Sequence, residues 1–157
     1  YDKSVKTMTK ATVKLLFIFL FLCSCAGKET RVDSVKNEGF LNDDEFRIIV
    51  RGEPDKKAQG LLASRESALI NSYQNARDFV ISGLKNEMIK TFPAKKTQIE
   101  YNIEITNYLD ATYLKSKPIA EYYESNGSHC IVIKISEKNI KNSITAQINN
   151  ILQAGNQ

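Results

Sequence analysis

The 157-residue chain has no tryptophan, a single histidine, three cysteines and three prolines. So few imidazoles and thiols leave no His/Cys ligand set for zinc unless carboxylates converge from elsewhere. A phosphate-cradling glycine loop, a G-x-S-x-G elbow and an H-E-x-x-H helix are all missing. The expectation is therefore a chain with no catalytic, cofactor-binding or metal residues. Charge of one sign is not in great excess, with 22 basic against 18 acidic residues. Nor is there an apolar run long enough to cross a bilayer. The longest, Leu15 to Leu22, would extend only ~12 Å as a helix, whereas a spanning helix needs roughly 20 residues.

That short run is nevertheless the most informative stretch, LLFIFLFLCSC from Leu15 to Cys25. A basic start (Lys10, Lys14) and a compact apolar core are the pattern of a secretory signal peptide. An ordinary leader ends in small residues of the A-x-A kind; this one ends Leu22-Cys23-Ser24-Cys25, which resembles the bacterial lipobox. The resemblance implies cleavage between Ser24 and Cys25 and acylation of the Cys25 thiol with diacylglycerol, with palmitate the usual type of chain. The new amino group would commonly be acylated as well. The signal peptide is expected within residues 1–24, with Met8 the expected initiator and residues 1–7 upstream of it. Ala26, rather than Asp, directly after the lipid points to the outer membrane.

Removing the leader changes the electrostatics. It carries Lys3, Lys6, Lys10 and Lys14 against Asp2, so 18 basic and 17 acidic residues stay behind. The basic balance belongs largely to the discarded part, and no clustered Lys/Arg face for nucleic acid is expected. Cys130 becomes the only thiol without a lipid, which rules out an intramolecular disulfide and suits a buried, reduced cysteine.

Residues 25–44 are polar, carry Gly27 and Gly39, and are predicted to be a flexible tether with a reach of roughly 20–25 Å. Asp43, Asp44 and Glu45 lack the ligand spacing of a calcium loop and are expected to form a solvated acidic turn. Residues 45–157 are predicted to be one α+β domain. It would have an antiparallel or mixed sheet of about three strands packed on one long helix, plus a C-terminal helix.

Glu45 to Arg51 alternates with period two and predicts a strand, with Phe46, Ile48 and Val50 on one face. Asp55 to about Ile89 predicts the long helix, with a stripe of Ala58, Leu62, Leu69, Tyr73, Ala76, Val80 and Leu84. Gly60 and Gly83 are its candidate ends or kinks, and Pro93 forbids continuation. Gln98 to Thr106 is ambiguous: Ile99, Tyr101, Ile103 and Ile105 alternate as in a strand, while Tyr101, Ile105 and Leu109 also fit a helical stripe. Asn126-Gly127 between two extended runs predicts a hairpin with a two-residue type I′ turn. A final helix is expected over Glu137 to Gln153, capped by Ser136, with Ile140, Ile144, Ile148 and Ile151 inward.

His129 and Cys130 are adjacent and could suggest a nucleophile and its base. Neighbours in a strand point to opposite faces, so the pair is not expected to meet.

The run IVRGEPDKKAQGLLASRESALINSYQNA, followed by ESNGSHCIVIKIS, resembles the twenty-kilodalton outer-membrane lipoprotein family first known in Helicobacter. That family is related to the N-terminal module of flagellar assembly protein T. The resemblance implies a long helix on a small sheet and an envelope lipoprotein without catalysis. The function expected is a non-enzymatic, lipid-anchored envelope protein that binds another envelope protein. Its membrane contact would be the N-terminal lipid, and nucleic acid would not be a partner. Two alternatives stay open: a surface lipoprotein meeting host molecules, and an envelope enzyme or small-ligand binder whose site is assembled across the sheet.

Overall fold

The computed structural model describes residues 37–155. The predicted signal peptide, Ser24, Cys25 and the first part of the tether lie outside the described residues. Over the described residues the fold is α+β, with four antiparallel strands on one side and helices on the other. In chain order it runs β1 (Gly39–Asn42), β2 (Glu45–Gly52), α1 (Leu61–Thr91), α2 (Lys96–Tyr101), α3 (Ile103–Tyr113), β3 (Lys117–Tyr123), β4 (His129–Ser136) and α4 (Ile140–Ala154).

The spatial order is β1-β2-β4-β3. β2 and β4 form the centre in unbroken register, from Glu45 opposite Ser136 to Gly52 opposite His129. Their alternation is the predicted one. Phe46, Val50, Ile131, Ile133 and Ile135 join the core with Val80, Leu84 and Met88 of α1. Arg47, Arg51, Cys130 and Lys134 take the opposite face, where Glu45 bridges the like-charged cross-strand pair Arg47 and Lys134.

The last part of the stretch expected to be tether, residues 25–44, is instead regular structure. Gly39–Asn42 is β1, a strand of four residues, too short to display a period. Phe40 places its ring edge-on to Phe46 at 5.3 Å, which fixes the strand to the core. The acidic turn that follows has a structural task. Asp44 accepts the backbone N–H of Asn139 on its carboxylate (2.6 Å), and the carbonyls of Asp44 and Asp43 accept from Glu137 and Lys141. The β1–β2 turn thus satisfies orphan donors at the start of α4, and that helix begins at Ile140 rather than at Glu137 behind a Ser136 cap.

The long helix starts at Leu61, with Gly60 before it, and runs without a break through Gly83 to Thr91. Its buried stripe is Ala68, Ser72, Ala76, Val80, Leu84 and Met88, with Ile81 beside it. The predicted stripe is correct from Ala76 onward and wrong before it, since Leu62 is 83% exposed and Tyr73 49%. The cause is Gly52. A Cβ there would lie 2.2 Å from both the Ala68 carbonyl oxygen and the Ser72 nitrogen, so the helix backbone rests directly on the strand. Only small side chains fit at such an approach, and the larger Leu69 and Tyr73 are turned aside.

Residues 96–113 are helical, which resolves the ambiguity against the local alternation. Asn102 interrupts the run with extended backbone, and its side chain accepts from the Glu104 and Ile105 nitrogens, capping α3. Ile99 and Ile105 are fully buried from two successive helices, while Tyr101 and Ile103 are exposed. Lys85 of α1 secures the joint, its ammonium donating to the Glu100 carbonyl (2.7 Å) and to Thr106 Oγ1 (2.9 Å).

The β3–β4 hairpin forms as predicted but with a different turn. Glu124 N donates to Ser128 O, and Gly127 N donates to Glu124 O. Gly127 has φ +88°, whereas Asn126 is not among the described residues of positive φ. This is the three-residue connection that combines a type I turn with a glycine bulge. Asn126 contributes through its side chain, which accepts from Ser128 N (2.9 Å).

Candidate functional site: the histidine end of the sheet

Three of the four buried polar residues among those described, Ser72, Ser128 and His129, gather at one end of the sheet, where β2 finishes at Gly52 and β4 begins at His129. Close contact between Gly52 and α1 brings Ser72 over the first residue of β4. Ser72 Oγ lies 2.7 Å from His129 Nδ1; Ser72 is fully buried and His129 nearly so. On the other side of the ring, Nε2 is 3.5 Å from Glu121 Oε2 of β3. The other Glu121 oxygen accepts a short hydrogen bond from the Tyr73 hydroxyl.

Two tyrosines enclose the imidazole. Tyr123 of β3, the cross-strand neighbour of His129, meets it edge-on at 4.8 Å, and Tyr73 lies nearly parallel at 6.5 Å. The Arg65 guanidinium sits 5.3 Å from the Tyr123 ring centre, and the Tyr123 hydroxyl donates to the Arg65 carbonyl (3.2 Å). Next along the chain, the buried Ser128 hydroxyl donates to Glu53 Oε2 (2.7 Å).

Burial holds the His129 pKa below its ordinary value, with the Glu121 carboxylate opposing the shift. The imidazole is therefore neutral at pH 7. The hydrogen bond to Glu121 raises the Tyr73 pKa, so that phenol keeps its proton.

Serine, histidine and glutamate in line have the composition of an acyl-transfer triad. This arrangement cannot perform that chemistry at Ser72. The hydroxyl has no accessible surface and lies against the β2–α1 contact, so no substrate carbonyl can come within reach of Oγ. The His129–Cys130 pair also has no catalytic geometry. His129 faces α1, while Cys130 lies on the other side of the sheet, opposite Arg51 and Tyr122. Burial, then a hydrogen bond with Glu124, raises the Cys130 pKa, so the thiol stays protonated. That is the reverse of the activation a nucleophilic cysteine requires.

An open groove of about 460 Å³ runs between the β1–β2 edge and α1, floored by Phe46 and Ile48. Two of its carboxylates are already engaged: Glu87 pairs with Lys90 at 2.5 Å, and Glu38 accepts the Ile49 N–H at 2.8 Å. Among the described residues no group of three His, Cys, Asp or Glu side chains is placed to hold a metal ion. None of the described helices is long and apolar enough to cross a membrane.

Sequence reasoning weighed His129 for a site but gave no site role to Ser72, Glu121, Tyr73 or Tyr123. The predicted lipidation residue, Cys25, and its cleavage neighbour, Ser24, lie outside the described residues. No protein-family model, characterised protein or solved structure matches this chain.

Proposed function

We propose that this chain is a bacterial envelope lipoprotein, anchored through Cys25 to the outer membrane, whose α+β domain is a non-catalytic protein-binding module. The observation that carries the reading is LLFIFLFLCSC behind Lys10 and Lys14. A basic start, an apolar core of signal-peptide length and a cysteine at the cleavage point occur together there. Each buried methylene of an acyl chain contributes ~0.8 kcal/mol, and two or more chains hold stably where one does not. An anchor of that kind leaves the domain free of any need for a membrane-binding face.

The non-catalytic part of the proposal is supported by the burial of Ser72 and the protonated state of Cys130. Protein binding is supported by apolar side chains left on the surface, including Leu61, Leu62, Ile70, Ile103 and Leu114. The likeness to the twenty-kilodalton lipoprotein family enters on the same footing, as a proposal about ancestry.

The test is metabolic labelling with radioactive palmitate in a bacterial host. The wild-type chain is expected to take up label and migrate as the processed form. Cys25→Ala is expected to lose the label and accumulate as precursor. Label retained by Cys25→Ala would end the lipoprotein reading.

A further inference from the structure

The Ser72 hydroxyl has two partners at equal distance. Its Oγ is 2.7 Å from the Leu69 carbonyl oxygen, one turn back in α1, and 2.7 Å from His129 Nδ1. One hydroxyl proton cannot serve both. If it points to Nδ1, the serine donates to a neutral imidazole whose proton is on Nε2, facing Glu121. If it points to the Leu69 carbonyl, the lone pairs of Oγ are free to accept an N–H from Nδ1.

We propose that Ser72, His129 and Glu121 form a proton-operated latch in which the imidazole takes up a proton from solvent without leaving its place in the fold. In the neutral state Ser72 donates to Nδ1. On protonation the hydroxyl rotates to the Leu69 carbonyl and accepts the new Nδ1–H, while the Nε2–H of the imidazolium pairs with the Glu121 carboxylate. Nδ1 and the Ser72 hydroxyl have a partner in both states, and Nε2 faces the Glu121 carboxylate at 3.5 Å. A buried histidine lacking such a rotor would lose its Nδ1 partner on protonation, at the full cost of an unmet donor.

The groups around the ring are compatible with this. From β3 come the Glu121 carboxylate, 39% exposed and so able to shift, and the Tyr123 phenol. From α1 come the Tyr73 phenol on Glu121 and the Arg65 guanidinium, which is held over the outer ring of Tyr123. After β2 comes Glu53, which is taken by Ser128. β2 itself presents only Gly52. Among the described residues, the carboxylate beside the imidazole is therefore Glu121 of the edge strand β3. Protonation turns the 3.5 Å contact between Nε2 on β4 and Glu121 on β3 into an ion pair.

The chain has one histidine, so its imidazole signals are unambiguous in nitrogen-detected NMR of the protein. At neutral pH the Nε2–H tautomer is expected. On acidification both nitrogens should become protonated while the amide spectrum stays dispersed, and the Glu121 and Tyr73 signals should move with the same midpoint. Ser72→Ala removes the acceptor for Nδ1–H and should lower the proton affinity of His129 about tenfold, the usual worth of a hydrogen bond to a charged group. Glu121→Gln, at a partly exposed position, should lower it as well. An Nδ1–H tautomer at neutral pH would overturn the proposal. So would protonation that coincides with loss of amide dispersion, or an unchanged midpoint in both variants.

Discussion

The two ends of the β2–β4 ladder are closed by different means. At the Phe46–Ile135 end, Leu84, Met88, Ile140 and Ile144 seal the sheet with apolar side chains and no polar partner is needed. At the Gly52–His129 end, the helix backbone touches the strand, and the space left beside it is filled by a serine, an imidazole and two tyrosines. The first end tolerates some repacking because its energy is spread over many non-directional contacts. The second depends on one missing side chain and on hydrogen bonds of fixed geometry. The lesson is that a small domain can hold one helix on one sheet by both methods, with different sensitivities to change.

Gly52→Ala should test the difference most severely. The added methyl meets backbone atoms at 2.2 Å, which no rotamer change relieves, and the expected loss is about 4 kcal/mol in urea unfolding. A loss below 1 kcal/mol would mean that α1 is free to rise from the strand. At the apolar end, Leu84→Ala should cost about 3 kcal/mol from lost burial plus the cavity left behind. The same measurement reads it, and a negligible change would show that the neighbouring helices collapse into the space. Ser72→Ala keeps the close approach but removes a partner of His129, and it should cost only about 1 kcal/mol.

The smallest expected effect is that of pH. The folded imidazole titrates below its ordinary value because it is buried. As pH falls below ~6.5 the unfolded chain binds a proton that the folded chain still refuses. Stability present at neutral pH is thus lost progressively down to the folded-state pKa of His129. Urea midpoints at pH 7.5 and pH 5.5 should show the decrease. His129→Gln should flatten it, since no other histidine titrates there. An equal slope in that variant would assign the pH dependence to another group.

Much of the apolar end was legible in advance. The alternation of Phe46, Ile48 and Val50, that of Ile131, Ile133 and Ile135, and the four-residue steps from Ala76 through Leu84 all carry a period that burial enforces. So does α4, where Ile140, Ile144 and Ile148 lie inward, although Leu152 rather than Ile151 completes the stripe. The polar end was not legible, because Ser72, Glu121 and His129 come from three separate elements, and no local period relates them. The hints were the run of small residues Ala68, Ser72 and Ala76 and the glycine that ends β2. Residues 98–106 were ambiguous for another reason. A capping asparagine at 102 resets the helix, so Ile99 and Ile105 face the core from separate helices and imitate a strand's alternation. β1 was missed because four residues cannot display a pattern.

The central ladder joins two segments that are remote along the chain, residues 45–52 and 129–136, with the helices α1, α2 and α3 between them. Closing that long loop is an entropic cost that folding meets once. When it is met, the strands are held by eight registered pairs rather than by the connection. A single peptide-bond cut within residues 53–60, between β2 and α1, should therefore leave two pieces that stay together through gel filtration. After separation in urea and remixing, they should recover the native spectrum in a second-order reaction. The covalent link at that point would then govern how fast the domain assembles more than whether it does.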